Sequence, residues 1–173
     1  GRPTRYSVTV NVLSAAAIEA YFELATATGG DARKTPAFTA AAGVPVEVLL
    51  DQLKPNQAYV YRFLSRKPGD ARFVEGEKQV FHTARASGSK FVFELQGDSH
   101  PERSRQFSAD AYAQTLRAAA ADAPDFYLTI GDDFSVDTLP VVNAHTVMQR
   151  YLVQRPFLSL VGRSAPVFLV NGN

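Results

Sequence analysis

The chain contains no cysteine. That excludes a disulfide framework, a cysteinyl zinc site and a thiol nucleophile, and it leaves Asp, Glu, His and Asn as the ligands for any metal. Charge of one sign is not in excess either: 18 Lys and Arg stand against 17 Asp and Glu, a formal +1. Such a balance makes no long-range field to attract a polyanion, and no local basic cluster substitutes for one, so nucleic acid is not an expected partner. No apolar run approaches the roughly 18–20 residues of a membrane span. The start, Gly1-Arg2-Pro3-Thr4-Arg5, lacks the apolar core of a signal peptide.

The length of 173 residues suits one or two compact units, and 46% hydrophobic residues suffice to fill their cores. Acids concentrate late in the chain: residues 1–86 hold 11 basic and 8 acidic side chains, residues 87–173 hold 7 and 9.

The first half reads as short strands separated by turns. Tyr6, Val8, Val10 and Val12 alternate with Ser7, Thr9 and Asn11, the period of a half-buried strand. Further strands are predicted near Ile18–Leu24, Pro36–Ala40, Val44–Leu50, Ala58–Ser65 and Phe73–Thr83, broken by Gly29-Gly30-Asp31, Lys54-Pro55-Asn56 and Lys67-Pro68-Gly69-Asp70. Strands at this spacing predict a small β-sandwich. Ala84–Lys90, rich in Ala, Ser and Gly, reads as a linker.

After the linker the rhythm changes. Phe91–Gln96, Phe126–Ile130 and Val167–Val170 read as strands, the last two uniformly apolar, as expected of strands covered by helices on both faces. Between them Ser108 is placed to cap a helix running to about Ala121, and a second helix is predicted over Val141–Leu152, ended by the Pro156 region. Strand, helix, strand, helix, strand describes a parallel sheet built from right-handed crossovers.

Each of these three strands is followed by a small polar cluster: Gly97-Asp98-Ser99-His100, Gly131-Asp132-Asp133 and Asn171-Gly172-Asn173. In an open α/β sheet, ligands bind beyond the carboxyl ends of parallel strands, so all three clusters are expected on one rim. Asp, His and Asn there offer oxygen and imidazole ligands, and a metal site follows.

Two resemblances attach to these residues. Leu53-Lys-Pro55-Asn-Gln-Ala-Tyr59-Val-Tyr61 resembles the corner of fibronectin type III domains, a likeness covering residues 4–84. Gly97-Asp98-x-His100, Gly131-Asp132-Asp133 and Gly172-Asn173, in that order, resemble the first three motifs of the calcineurin-like metallophosphoesterases. With the sandwich in front, the chain looks like the purple acid phosphatase or PhoD-like branch of that superfamily. The resemblance implies an all-β fibronectin type III-like domain over 1–86, followed by the first part of an α/β metallophosphoesterase domain over 87–173.

It further implies two metal ions, with Mn, Zn or Fe as candidates. Asp98 and His100 would bind the first, Asp132 would bridge both and Asn173 would bind the second. The implied activity is hydrolysis of a phosphate ester, with hydroxide made available by the metals attacking phosphorus in line. The family pattern continues with His and further His-containing motifs beyond position 173. A longer protein is therefore expected: its remaining C-terminal part would be a partner of this segment, and the segment alone would have little turnover. The catalytic His is expected outside the chain. Secreted or periplasmic location is implied by the same likeness. Purple acid phosphatases place a tyrosine ligand at the position that Ser135 occupies, which disfavours an iron tyrosinate site.

Other polar residues are read more plainly. Asp133 and Asp137 are expected in solvated or capping roles, His82 as a hydrogen-bonded strand residue and His145 as a surface or packing residue. Arg103 and Arg105 could reach a phosphate or lie in a solvated helix entrance. Tyr151 and Arg155 flank the end of the second predicted helix, where substrate contacts could form. The competing reading is a non-catalytic binding or scaffold protein that uses the sandwich and carries a degenerate phosphoesterase domain.

Overall fold

The computed structural model describes residues 3–172. The chain divides into two compact units, Gly1–Lys90 and Phe91–Asn173. No described helix is long and apolar enough to cross a membrane.

The first unit is all β. Its strands are β1 (Val8–Val12), β2 (Ile18–Thr26), β3 (Arg33–Lys34), β4 (Phe38–Ala40), β5 (Val46–Leu50), β6 (Ala58–Arg66) and β7 (Val74–His82). β1 pairs with β5 in a two-stranded antiparallel sheet. The other five form a second sheet in the order β3-β2-β6-β7, with β4 alongside β2. Alternation along β2 buries Ala20, Phe22, Leu24 and Thr26. Phe22, Leu24, Tyr59, Tyr61 and Phe81 from the larger sheet meet Leu50 and Val8, Val10, Val12 and Val48 from the smaller one, so the core fills the space between two sheets. The two-residue β3 escapes a periodicity reading because two residues carry no period; its pairing with Glu23 and Leu24 creates it.

The corner at Tyr59 is closed by polar groups. The Tyr59 ring is 2% exposed, and its hydroxyl accepts the Lys54 backbone N–H at 2.8 Å. Nearby, the Thr83 hydroxyl donates to the Lys54 carbonyl at 2.8 Å and accepts the Gln57 N–H at 2.9 Å. The loop after β5 is thus tied to the end of β7. His82 is half-buried, with Nδ1 2.6 Å from the Thr83 carbonyl.

The second unit contains β8 (Phe93–Gln96), α1 (Ala109–Ala121), β9 (Phe126–Thr129), α2 (Ala144–Gly162) and β10 (Val167–Leu169). The strands are parallel in the order β10-β9-β8. Ser108 caps α1, its side chain accepting the Ala111 N–H at 3.3 Å. Asn143 and Thr146 form a capping box at the start of α2, each side chain accepting the other residue's backbone N–H.

Two expectations need correction. The second helix begins at Ala144, where the capping box sets its start, and does not stop at Pro156, which lies inside it. A proline in a helix removes one backbone bond and costs about 3 kcal/mol. The turns beyond it carry Phe157, Leu158, Leu160 and Val161 into the core formed with Tyr112, Leu116 and Tyr127, and that burial outweighs the loss. Nor, among the described residues, do helices cover both faces of the sheet. Tyr112 and Leu116 of α1 and Val161 of α2 join the same cluster around Tyr127. The strand order explains it: two successive crossovers of one hand that step in the same direction deposit both helices on the same face. The other face bears Phe91, Phe93, Phe126 and Phe168, stacked or edge-on at ring separations of 5.3–6.2 Å.

Candidate metal centre

The parallel register brings the three strand ends together. Gln96 of β8 lies opposite Thr129 of β9, and Thr129 lies opposite Leu169 of β10. Bonds continue past the strands: the Asp98 N–H donates to the Gly131 carbonyl at 3.1 Å and the Val170 N–H to the Thr129 carbonyl at 3.2 Å. The approach at Gly131 is close. A Cβ there would lie 2.6 Å from the Gly172 Cα, and a Cβ on Gly172 would overlap the Asp132 carboxylate and sit 2.6 Å from its backbone nitrogen. Only glycine permits this packing, which seats Asp132 against the Asn171-Gly172 segment that follows β10.

At these ends Asp98, His100 and Asp132 gather, with one ligand atom from each within 4.8 Å of the others. All three have positive φ, 56°, 40° and 55°. Such backbone is uncommon for non-glycine residues and costs on the order of 1–2 kcal/mol each. Held strain of this kind points to function when it coincides with a cluster of chemically capable groups. Asn173, the fourth expected ligand, lies outside the described residues.

Glu102 sits against the His100 ring. Glu102 is almost wholly buried at its side chain, and its Oε1 lies 3.0 Å from His100 Nδ1. Burial pushes the Glu102 carboxyl up, but the backbone N–H groups of Glu102 and Ser135 and the His100 ring together hold it below the usual range. A neutral His100 that donates its Nδ1–H to Glu102 keeps Nε2 as an acceptor. That Nε2 lies 3.9 Å from Asp132 Oδ2. Two acceptors turned toward one another, with a third carboxylate beside them, suit a shared cation. A histidine ligand whose other nitrogen is held by a carboxylate is the common arrangement at metal sites. Ligand bonds of about 2.0–2.2 Å place donors somewhat closer together than 4.8 Å, so the side chains close slightly inward on an ion. The residues present fit a divalent metal.

Glu102 is not singled out by sequence reasoning. The available signal is the alternation Asp98-x-His100-x-Glu102, with Pro101 restricting the intervening backbone. Ser135, at the position where a tyrosine ligand was considered, serves Glu102 instead: its backbone N–H donates to Glu102 Oε1 at 2.9 Å, and its hydroxyl donates to Asp137. Arg103 donates to the Ser135 hydroxyl at 3.3 Å and pairs with Asp137 at 3.4 Å. Its guanidinium therefore clasps the loop after Asp133 to the loop after β8.

Asp133 is not solvated as expected. It is 7% exposed, and its Oδ1 has no hydrogen-bond partner. Burial, and then the charges of Asp132 and Asp98, push its carboxyl above the ordinary range, against the pull of Thr129 and His100. The chain enters the interior here because β9 is followed by Gly131, whose positive φ turns the next residues back over the sheet end. Asp137, Arg105 and His145 are exposed. Tyr151 is half-exposed and meets Phe134 edge-on at 4.6 Å, while Arg155 is partly buried.

No protein-family model matches the chain, and no curated protein matches it in sequence. Among solved structures, the chain is similar over its whole length to a structure of PhoD, with a TM-score of 0.65 and 16% identity. It spans 37% of that protein's length. At that identity the likeness shows a shared fold. A computationally redesigned β-sandwich protein aligns with 49% of the chain and 87% of its own length, at 17% identity and a TM-score of 0.32, too low to carry an argument.

Proposed function

We propose that the chain is part of a metal-dependent phosphoesterase, and that residues 1–86 are its fibronectin type III-like domain and residues 87–173 the opening segment of its metallophosphoesterase domain. The observation that carries this reading is the convergence of Asp98, His100 and Asp132 on strained turns at the carboxyl ends of parallel strands, with the lone pairs of His100 and Asp132 facing one another. The PhoD-like fold supports it, as does the order of the three strand-end motifs.

In this reading Asp98 and His100 would hold a first divalent or trivalent ion, Asp132 would be shared with a second, and Asn173 would contribute to the second. Such ions supply charge that offsets the phosphoryl oxygens, and they lower the pKa of water toward neutrality. The chain's own residues do the rest. Glu102 fixes the His100 tautomer so that Nε2 faces the site, Gly172 gives the Asp132 carboxylate its seat, and the Arg103–Asp137 pair closes the loops behind it. The partner is a phosphate ester, and export follows from the same resemblance.

The test is metal retention by the 173-residue chain. After incubation with Mn(II), Zn(II) or Fe(II) and removal of loose ions, elemental analysis is expected to find specific retention that an Asp98→Ala, Asp132→Asn double variant loses. Equal retention by the two proteins would overturn the site. In the longer enzyme, Asp132→Asn is expected to cost orders of magnitude in aryl phosphate hydrolysis, because it removes the anion shared by both ions.

A further inference from the structure

We infer that Gln154 is a positioning residue which, through Ser99, holds the turn bearing Asp98 and His100 in register with the turn bearing Asp132; this rests on the metal-site reading above. Gln154 sits in α2, one turn before Phe157 and Leu158 and two before Val161, on the stripe that faces the core. It is 2% exposed, an amide where that stripe calls for an apolar side chain. Its Nε2 donates to the Ser99 hydroxyl at 2.8 Å and to the Tyr112 hydroxyl at 3.1 Å. Ser99 in turn donates to the Asp133 carbonyl at 3.1 Å.

The direction of this relay is fixed by counting hydrogens. A serine hydroxyl has one, and Ser99 spends it on Asp133, so it must accept from Gln154. The amide orientation follows, because Oε1 in that place would meet a hydroxyl with no hydrogen to give. Ser99 lies between Asp98 and His100, and Asp133 follows Asp132. One buried amide thereby links both ligand-bearing turns to the helix layer. The arrangement has a cost, since Gln154 Oε1 is left buried without a partner. An apolar residue would avoid that cost, and would also release Ser99.

The experiment uses the 173-residue chain and Mn(II) alone, with two readouts: Mn(II) affinity by calorimetric titration, and amide hydrogen exchange of residues 98–100 and 131–133 in metal-free protein. Gln154→Leu and Ser99→Ala are each expected to weaken Mn(II) roughly tenfold or more, the usual effect of removing an outer partner of a metal ligand. Their combination is expected to lose little beyond either one, and exchange at both turns is expected to quicken. Gln154→Met, close in volume and uncharged but lacking the N–H donors, should behave like Gln154→Leu, whereas a pure packing role would leave it like wild type. Tyr112→Phe removes the second acceptor without touching the turns and should keep wild-type affinity.

Wild-type affinity and wild-type exchange in Gln154→Leu overturn the inference. If Gln154→Leu does not fold, Ser99→Ala and Gln154→Met decide by the same criteria. If wild type itself binds no Mn(II), the metal-site reading falls, and exchange alone judges the relay: quickened turns in the variants support it and unchanged turns overturn it.

Discussion

The two units treat buried polar groups in opposite ways. In the sandwich, the Tyr59 hydroxyl, the Thr83 hydroxyl and the Thr26 hydroxyl all close onto backbone groups of neighbouring turns. Among the described residues, every buried side-chain nitrogen or oxygen without a hydrogen-bond partner lies in the second unit: Glu102 Oε2, Arg103 Nε, Thr129 Oγ1, Asp133 Oδ1, Arg150 Nε and Gln154 Oε1. Positive φ outside glycine occurs in both units. Asp31, Gln52 and Asn56 have positive φ in loops of the sandwich; in the second unit Ala123 has it after α1, and Asp98, His100 and Asp132 have it within one cluster. Each orphaned buried polar atom costs about 1–3 kcal/mol. In the second unit, two of these atoms, Glu102 Oε2 and Asp133 Oδ1, belong to residues next in the chain or in space to the Asp98, His100 and Asp132 cluster.

The largest break in that comparison is expected from Gly172→Ala. The new methyl would overlap the Asp132 carboxylate and must displace it, so Mn(II) affinity should fall by about ten- to a hundredfold, read by titration. Retained affinity would show that the seat against Gly172 does not set Asp132. A smaller effect of the other kind is expected from Tyr59→Phe. It removes the acceptor of the Lys54 N–H while keeping the ring stacked on Phe81 at 5.6 Å, so it should lower the stability of the sandwich by about 1–2 kcal/mol in denaturant unfolding and leave Mn(II) affinity untouched.

The smallest effect concerns acid. The Ser135 hydroxyl holds the exposed Asp137 carboxyl below its ordinary range; desolvation opposes it, and Arg103 adds a smaller pull in the same direction as Ser135. A carboxyl lowered on folding adds stability that is present above its unfolded pKa and lost as the pH falls through the folded one. The loss therefore belongs below about pH 4. Asp137→Asn should flatten the stability profile in that window and slightly lower stability at neutral pH, where the wild-type carboxylate contributes, as followed by thermal unfolding at a series of pH values.

Local chemistry was legible where it is local. Ser108 announces α1 because a capping side chain acts on an N–H three residues on. The strands of the sandwich announce themselves through alternation that one buried face imposes. The second helix was misjudged at both ends for the converse reason: its start depends on an Asn143–Thr146 exchange beyond a valine pair, and its passage through Pro156 depends on what Phe157, Leu160 and Val161 pack against. Asp133 was misread because a Gly-Asp-Asp turn looks solvated until the positive φ of Gly131 folds it inward.

By itself the sequence determined which residues stand at the strand ends and in what order, since Asp98, His100 and Asp132 each follow an apolar run and a glycine-bearing turn. Only the tertiary structure decided that they meet. Parallel register aligned the three ends, glycines let two of them touch, and Glu102 and Gln154, neither marked by any motif, oriented the result from positions 2 and 54 residues beyond His100. The reason is range: periodicity and capping act over a few neighbouring residues, whereas a binding centre is assembled from long-range burial and hydrogen bonding.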